Sequence, residues 1–382
     1  MNVEPTPALS LELGIDESPT APKLRLRRYV PGAACTRSVV LFHGGNTLSD
    51  IYLHPCGGLT LYLTERGWDV WLADWRGSPY VTKQVLGGSP LGGTVAEEWQ
   101  HYTLDDVIDT DIPILLKAVR HHIGDGQLNI IAWCFSAGAV STSIARGRLE
   151  PFNVSHVVLM ALGLFYEVPW NGWIKAEDYI LERVIHNAPM CRAISPASTN
   201  DWPVDFKSAY DKWPSAWLPP GERPIDAFLS RLTFMVGQPM ALENLDDRIS
   251  DEIIFDCIGP MHLGLYLHAG QMVRRGYSSR FDAPDFIDRE RLAEEPPATT
   301  AITDDFCPRP FQGMTVTLII ASEDRVWYRD SADMMYEWLR NNGHPNSTKH
   351  VVDGYMLLEL LWGKHARVDV YERISNGLAP FT

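Results

Sequence analysis

No stretch of eighteen apolar residues occurs in the 382-residue sequence, so no segment is long enough to cross a bilayer as a helix. The N-terminus lacks the basic region and apolar run of a secretion leader. Residues 1–19 are instead polar and acidic with several prolines, and read as a loose arm or as a strand leading into 23–30. There is no CxxC pair and no Cys/His cluster with zinc spacing. The six cysteines, at 35, 56, 134, 191, 257 and 307, are scattered, which implies reduced thiols in a cytoplasm and no bound metal. Positive charge is in deficit. Lys and Arg number 33 against 48 Asp and Glu, a net charge of −15 that would repel a polyanion, so nucleic acid is not an expected partner. No internal repeat or low-complexity tract appears.

Apolar material is plentiful. Hydrophobic residues make up 45% of the chain, enough for a large core. Three short apolar runs, 38–42 (SVVLF), 68–73 (WDVWLA) and 128–133 (LNIIAW), each end in small or polar residues: His43-Gly44-Gly45, Asp74-Trp75-Arg76-Gly77 and Cys134. Continuous runs of this length are the pattern of buried parallel strands with functional loops at their C-terminal ends. Helical patterns at 59–66 and 104–119 lie between them, the second with acidic residues early and Lys117 late, as the helix dipole favours. A further strand is expected at 154–162. Strand signals return at 314–321 and near 349–352, and a last helix at 366–376. Alternating strands and helices predict an α/β protein with a mostly parallel, doubly wound sheet.

Between about 166 and 297 the pattern changes. Pro and Trp become dense (Trp170, Trp173, Trp202, Trp213, Trp217) and helical stretches such as 254–275 follow one another without strong strands. The expected organisation is a sheet domain from 1–165 and 298–382, with a mostly helical cap inserted at 166–297. The cap tryptophans either form the cap's own core or line a cleft, in which case the ligand is a hydrophobic or aromatic small molecule.

After the third strand comes Ala132-Trp133-Cys134-Phe135-Ser136-Ala137-Gly138. This fits a nucleophile elbow, G-x-Nuc-x-G, with Ala132 and Ser136 as the small residues and Cys134 as the nucleophile. A rival register would put Ser136 in the middle, and a buried inert cysteine is the third reading. A thiol at a helix N-terminus is expected to have a lowered pKa.

On these motifs the chain resembles the α/β-hydrolase superfamily. It looks most like bacterial hydrolase domains that accompany cholesterol-oxidase-like flavoenzymes, at 67–78 (GWDVWLADWRGS), at 104–113 (LDDVIDTDIP) and at the Cys-centred elbow. It is also similar to polyhydroxyalkanoate synthases and dienelactone hydrolases, which use a Cys nucleophile on this fold. The resemblance implies the α/β-hydrolase fold and no cofactor. It implies an oxyanion hole from the backbone N–H groups of Phe135 and Gly45, with Asn46 beside it, and a ligand pocket touching Trp133, Leu357 and Trp170. It also implies that Asp324, after the next-to-last strand, is the catalytic acid, with Glu323 as a less apt substitute.

The resemblance breaks at the histidine. The family loop resembles G-Y-G-H-L-D-x-x-x-G-x-x-A-x-x-D-V-Y. Here Gly354, Tyr355, Gly363, Ala366, Asp369, Val370 and Tyr371 fix the register, and Leu357 stands where His is expected. Leucine can act neither as base nor as acid. The expected outcomes are a Cys-dependent enzyme that is not an ordinary hydrolase, a Cys esterase, thioesterase or acyltransferase whose His is relocated (His262, His268, His344, His350 or His365), or a binding protein that keeps the pocket.

Overall fold

The computed structural model describes residues 5–18, 20–32, 37–87, 99, 101–178, 180, 191–281 and 307–378. Eight strands form one sheet in the order β1-β2-β4-β3-β5-β6-β9-β10. Six of them are mutually parallel: β3 (Arg37–Phe42), β4 (Asp69–Asp74), β5 (Gln127–Trp133), β6 (Val154–Met160), β9 (Thr315–Ala321) and β10 (Ser347–Val352). The central members are almost entirely buried apolar residues. β1 (Leu9–Gly14) pairs antiparallel with β2 (Lys23–Tyr29), which pairs antiparallel with β4. The N-terminal segment is therefore an edge strand rather than a loose arm.

Register sets where the chemistry sits. Phe42 pairs with Ala73 on one side and Ala132 on the other, and Ala132 pairs with Leu159. The loops after β3, β4 and β5 therefore leave the sheet at one level, at the carboxyl edge where open α/β sheets bind ligands. The two motifs at 67–78 and 104–113 meet beneath that edge. The Arg76 guanidinium donates to Asp111 Oδ1 from Nε at 2.9 Å and from a terminal nitrogen at 2.7 Å, and the Arg76 backbone N–H donates to Asp111 Oδ2 at 2.9 Å. Both residues are buried, so the pair staples the β4 loop to the helix that precedes β5.

Three expected helices are broken. The stretch 104–119 is a short α-turn, Leu104–Asp106, then a π-turn, Val107–Asp111, then the helix Ile112–Ile123. Pro113 lacks the N–H that an unbroken ladder would need. The stretch 254–275 is split into Asp251–Cys257, a two-residue strand β8 (Met261–His262) and Leu263–Arg275, because Gly259-Pro260 interrupts it. The last helix is divided at Val370 into Ala366–Asp369 and Tyr371–Gly377.

Between β6 and β9 the chain runs through helices Trp170–Glu177, Val204–Asp211, Pro224–Val236, Asp251–Cys257 and Leu263–Arg275, with β7 (Ala193–Ile194) pairing β8. This insertion has a small core of its own, in which Trp202, Phe206 and Phe234 pack together and Trp213 joins Phe234 edge-on at 5.1 Å. The stretches 282–297 and 298–306, around the expected boundary, lie outside the described residues. No helix among the described residues is long and apolar enough to cross a membrane.

Candidate active site

Cys134 stands between β5 and the helix Phe135–Ala145, with φ 60° and ψ −132°. A residue with a Cβ rarely adopts a positive φ, and the strain turns its side chain up from the sheet edge at the start of a helix. The small neighbours are required: a Cβ on Gly138 would lie 2.2 Å from the Tyr166 hydroxyl oxygen. The backbone N–H groups of Phe135 and Gly45 are close enough to the Cys134 sulfur to favour its ionised form. Gly45 reaches it because the loop after β3 passes tightly over the elbow. A Cβ on Gly44 would come within 2.8 Å of the Trp133 ring, and one on Gly45 within 2.9 Å of Met261. That loop is tied down from the insertion, with Asn46 Nδ2 donating to the Gly259 carbonyl at 3.1 Å and Leu48 N–H to the Cys257 carbonyl at 2.8 Å.

Ser136 is placed differently. It is 1% exposed, its hydroxyl donates to the Phe42 carbonyl at 2.8 Å, and it accepts the Trp133 backbone N–H at 3.1 Å. These bonds clamp β3 to the elbow from below, and Ser136 does not line the cleft into which Cys134 faces.

That cleft and the solvent at its mouth together hold about 1020 Å³ of space free of protein atoms. Its walls include Gly45, Asn46, Trp133, Cys134, Phe135 and Leu357, and they are mostly apolar. Trp170 is not among them. It is 61% exposed, stacks on Trp173 and borders a second cavity, so its expected place in the ligand pocket is corrected. The other cap tryptophans are absent from the cleft wall too.

Trp327, which sequence reasoning passed over, supplies the aromatic wall. Its indole Nε1–H donates to Cys134 Sγ at 3.4 Å, its ring lies parallel to Phe135 at 6.3 Å, and Tyr166 meets it edge-on at 5.6 Å. The only signal in the sequence was its place three residues after Asp324. Asp324 explains that spacing. Its Oδ1 accepts the backbone N–H groups of Val326 at 2.8 Å and Trp327 at 3.1 Å, a side-chain turn that fixes the loop carrying the indole. Asp324 Oδ2 is buried with no hydrogen-bond partner. Burial with only two N–H donors pushes this carboxyl up to about 7.

Leu357 is buried and lines the cleft, and its carbonyl accepts the Trp133 indole N–H at 3.1 Å. Its loop is held by Glu359, which accepts the backbone N–H groups of Met356 and Ala241, each at 2.9 Å. It runs beside the acid loop, where Glu323 N–H donates to the Tyr355 carbonyl at 2.9 Å.

No histidine among the described residues lines the cleft. His262 stacks on Tyr102 and caps the helix after it, while His268 bonds Leu104 N–H and the Ser279 carbonyl. His344 bonds the Phe311 and Met314 carbonyls, and His365 is exposed. His350 lies within β10. His43, buried beneath the β3 loop, stacks on Trp75; burial pushes it down to about 4, which keeps it neutral.

The expected lowering of the thiol pKa is overturned. Desolvation pushes Cys134 up to about 12, with the Trp327 indole and the Phe135 and Gly45 N–H groups pulling it back only in part and the Asp324 carboxylate opposing them. The helix terminus could be read from sequence; the dry surroundings could not. Among the described residues no three His, Cys, Asp or Glu side chains come together to hold a metal ion.

The chain has the α/β-hydrolase fold. A lipase in its open form superposes with a TM-score of 0.60 at 14% identity, over 97% of this chain and 98% of that one. A thermostable carboxyl esterase from Bacillus coagulans in complex with glycerol gives a TM-score of 0.52 at 13% identity, over 97% and 99%. In sequence, 115 residues are 27% identical to the poly(3-hydroxyalkanoate) polymerase subunit PhaC of Haloferax mediterranei. That match covers 30% of this chain and only 19% of the relative's length. No family model matches the chain.

Proposed function

We propose that this protein is a cysteine-dependent enzyme that joins the electrophilic carbon of a hydrophobic or aromatic small molecule, an acyl group above all, to Cys134, and that it is not an ordinary hydrolase. One observation carries the reading. Cys134 Sγ faces an apolar cleft with two backbone N–H groups and an indole N–H around it, and no histidine among the described residues lines that cleft. The N–H groups of Phe135 and Gly45 would receive the oxyanion that forms when sulfur attacks a carbonyl, a contribution of several kcal/mol to the barrier.

The surroundings constrain the chemistry. In the first step the S–C bond forms and the bond from the acyl carbon to the leaving group breaks. No imidazole among the described residues stands in the cleft to receive the thiol proton, so it leaves with the departing group. Thioesters suit this, because the departing sulfur takes the proton and leaves as a thiol. In the second step the S–C bond breaks and the acceptor's proton returns to the departing Cys134 sulfur. With no base to activate water, a thiol or amine acceptor, nucleophilic without one, is favoured over hydrolysis. The partial likeness to a polyhydroxyalkanoate polymerase subunit supports acyl transfer as the reaction class.

A non-catalytic binding protein is the second reading, favoured by the thiol being pushed up to about 12. Intact-protein mass spectrometry with a panel of aryl esters, acyl thioesters and electrophilic aromatics separates the two. The expected result is one acyl adduct on Cys134 from a thioester, absent in Cys134→Ala and retained in Ser136→Ala. Labelling that survives Cys134→Ala, or no adduct from any of the compounds, sinks the proposal.

A further inference from the structure

The cleft contains a charge that the chemistry at Cys134 leaves unused. Lys175, on the helix Trp170–Glu177, lines the same cleft and is 6% exposed. A lysine this buried is ordinarily paired with a carboxylate. Here the ammonium donates to two backbone carbonyls at the end of the helix Pro224–Val236, those of Phe234 and Met235. It also sits over the rings of Phe234, at 5.4 Å, and Trp213, at 5.8 Å. No carboxylate among the described residues lies within salt-bridge distance of it. An ammonium has three N–H donors, and two are used.

Tyr266, on the helix Leu263–Arg275, is half-buried and lines the cleft as well. Its hydroxyl has no hydrogen-bond partner among the described residues. Its ring is 6.4 Å from Phe206, which packs at 5.0 Å on the Phe234 ring beneath Lys175. Two donors with spare capacity thus adjoin one aromatic cluster at the wall of a mostly apolar cavity that Asn46, Asn171 and Arg325 also line.

We propose that Lys175 and Tyr266 form an anion-binding subsite that takes the carboxylate of an amphipathic ligand whose apolar body fills the cleft. This rests on the reading that the cleft is the ligand site, and it narrows the ligand class to acids or acyl compounds bearing a second, anionic end. The bland alternative is that the ammonium only satisfies the two helix-terminal carbonyls. Three observations weigh against it: the counter-charge missing among the described residues, the unused third donor, and a phenol without a partner among them whose ring meets the Phe206 ring that packs on Phe234. Burial pushes the ammonium down to about 7, the cost of holding a cation in this wall without an anion.

The test is isothermal titration of the full chain with sodium decanoate and with 1-decanol. Wild type should bind the acid at least ten times more tightly than the alcohol. Lys175→Met should lose that preference while keeping its affinity for 1-decanol, and Tyr266→Phe should lose part of it. Equal affinity for acid and alcohol in wild type, or no binding of any acid from octanoate to tetradecanoate, overturns the proposal without need of a variant. A Lys175→Met protein that melts lower but keeps the full preference overturns it too, and assigns the lysine to the helix end. Repeating the titration in Cys134→Ala separates binding from chemistry. A carboxylate preference there, with no Cys134 adduct in wild type, keeps the subsite and removes the enzymatic reading.

Discussion

Trp327→Phe isolates one hydrogen bond. Phenylalanine keeps an aromatic face toward Phe135 and Tyr166 but removes the indole N–H that lies 3.4 Å from Cys134 Sγ. A hydrogen bond to a charged group contributes about 1.5–3 kcal/mol. The bond strengthens as the thiol ionises, so most of that value separates the two protonation states. At about 1.4 kcal/mol per pH unit, the loss raises the thiol pKa by roughly one to two units. The thiol already lies far above neutral pH, so each unit removes about nine-tenths of the remaining thiolate, while the more basic thiolate is intrinsically more reactive, with a Brønsted slope of about 0.5. The net effect is alkylation slowed by roughly 3- to 10-fold.

The assay is iodoacetamide labelling of Cys134, timed by mass spectrometry between pH 6 and pH 9, with thermal melts to show that both proteins are folded. In wild type the rate should rise close to tenfold per pH unit across the whole range without a plateau, because a group pushed up to about 12 stays mostly protonated throughout. Trp327→Phe should give a parallel line displaced downward. Superimposed lines would refute the role given to the indole. A plateau below pH 8 in wild type would refute the raised pKa itself.

Leu357→His should restore a base beside the orphaned Asp324 and raise hydrolysis of a p-nitrophenyl ester by roughly 100-fold or more; a folded variant with no gain shows that the acid and the elbow are not a triad lacking one member. Asp324→Asn tests the buried carboxyl through stability. Its pKa rises from 3.8 unfolded to about 7 folded, so between those values only the unfolded chain ionises, and native stability falls as pH rises from about 4 to 7. Asparagine escapes that loss, roughly 4 kcal/mol for three pH units. The melting temperature of Asp324→Asn should therefore gain on wild type between pH 4 and pH 8, and a constant gap between the two proteins would show that the carboxyl is already ionised at pH 4.

The sheet was legible because its central strands are buried on both faces and so appear as unbroken apolar runs, each followed by the loop that matters. The strand-to-helix turn was legible because its strained backbone restricts the residues beside its tip, and Cys134 does carry a positive φ there. What escaped depends on contacts distant in sequence. In sequence the N-terminal strand reads equally as a loose arm, because the β1–β2 pairing places alternating half-buried and exposed residues on a sheet edge, a weaker pattern than a core strand. Trp170 and Trp327 are both tryptophans near loops, and nothing local says that the second reaches Cys134 while the first faces solvent. Lys175 looks like an ordinary surface residue of a helix until the insertion folds over it. The thiol was misjudged for the same reason, since desolvation belongs to the assembled cleft and not to any motif.

On the proposed reading, the partners of Cys134 give these details a common sense. A histidine both accepts and returns a proton. The indole of Trp327 can only donate, so it can steady a thiolate but cannot take its proton. Asp324, which would orient a histidine, spends one oxygen on the turn that presents that indole and leaves the other unbonded. On the proposed reading, such a site, with no histidine among the described residues lining the cleft, would not cycle a proton between leaving group and water. It can still trap an acyl group whose leaving atom carries the proton away. The proposed preference for transfer therefore has a physical reason: no proton-cycling group lines the cleft among the described residues, while the N–H donors around the sulfur remain.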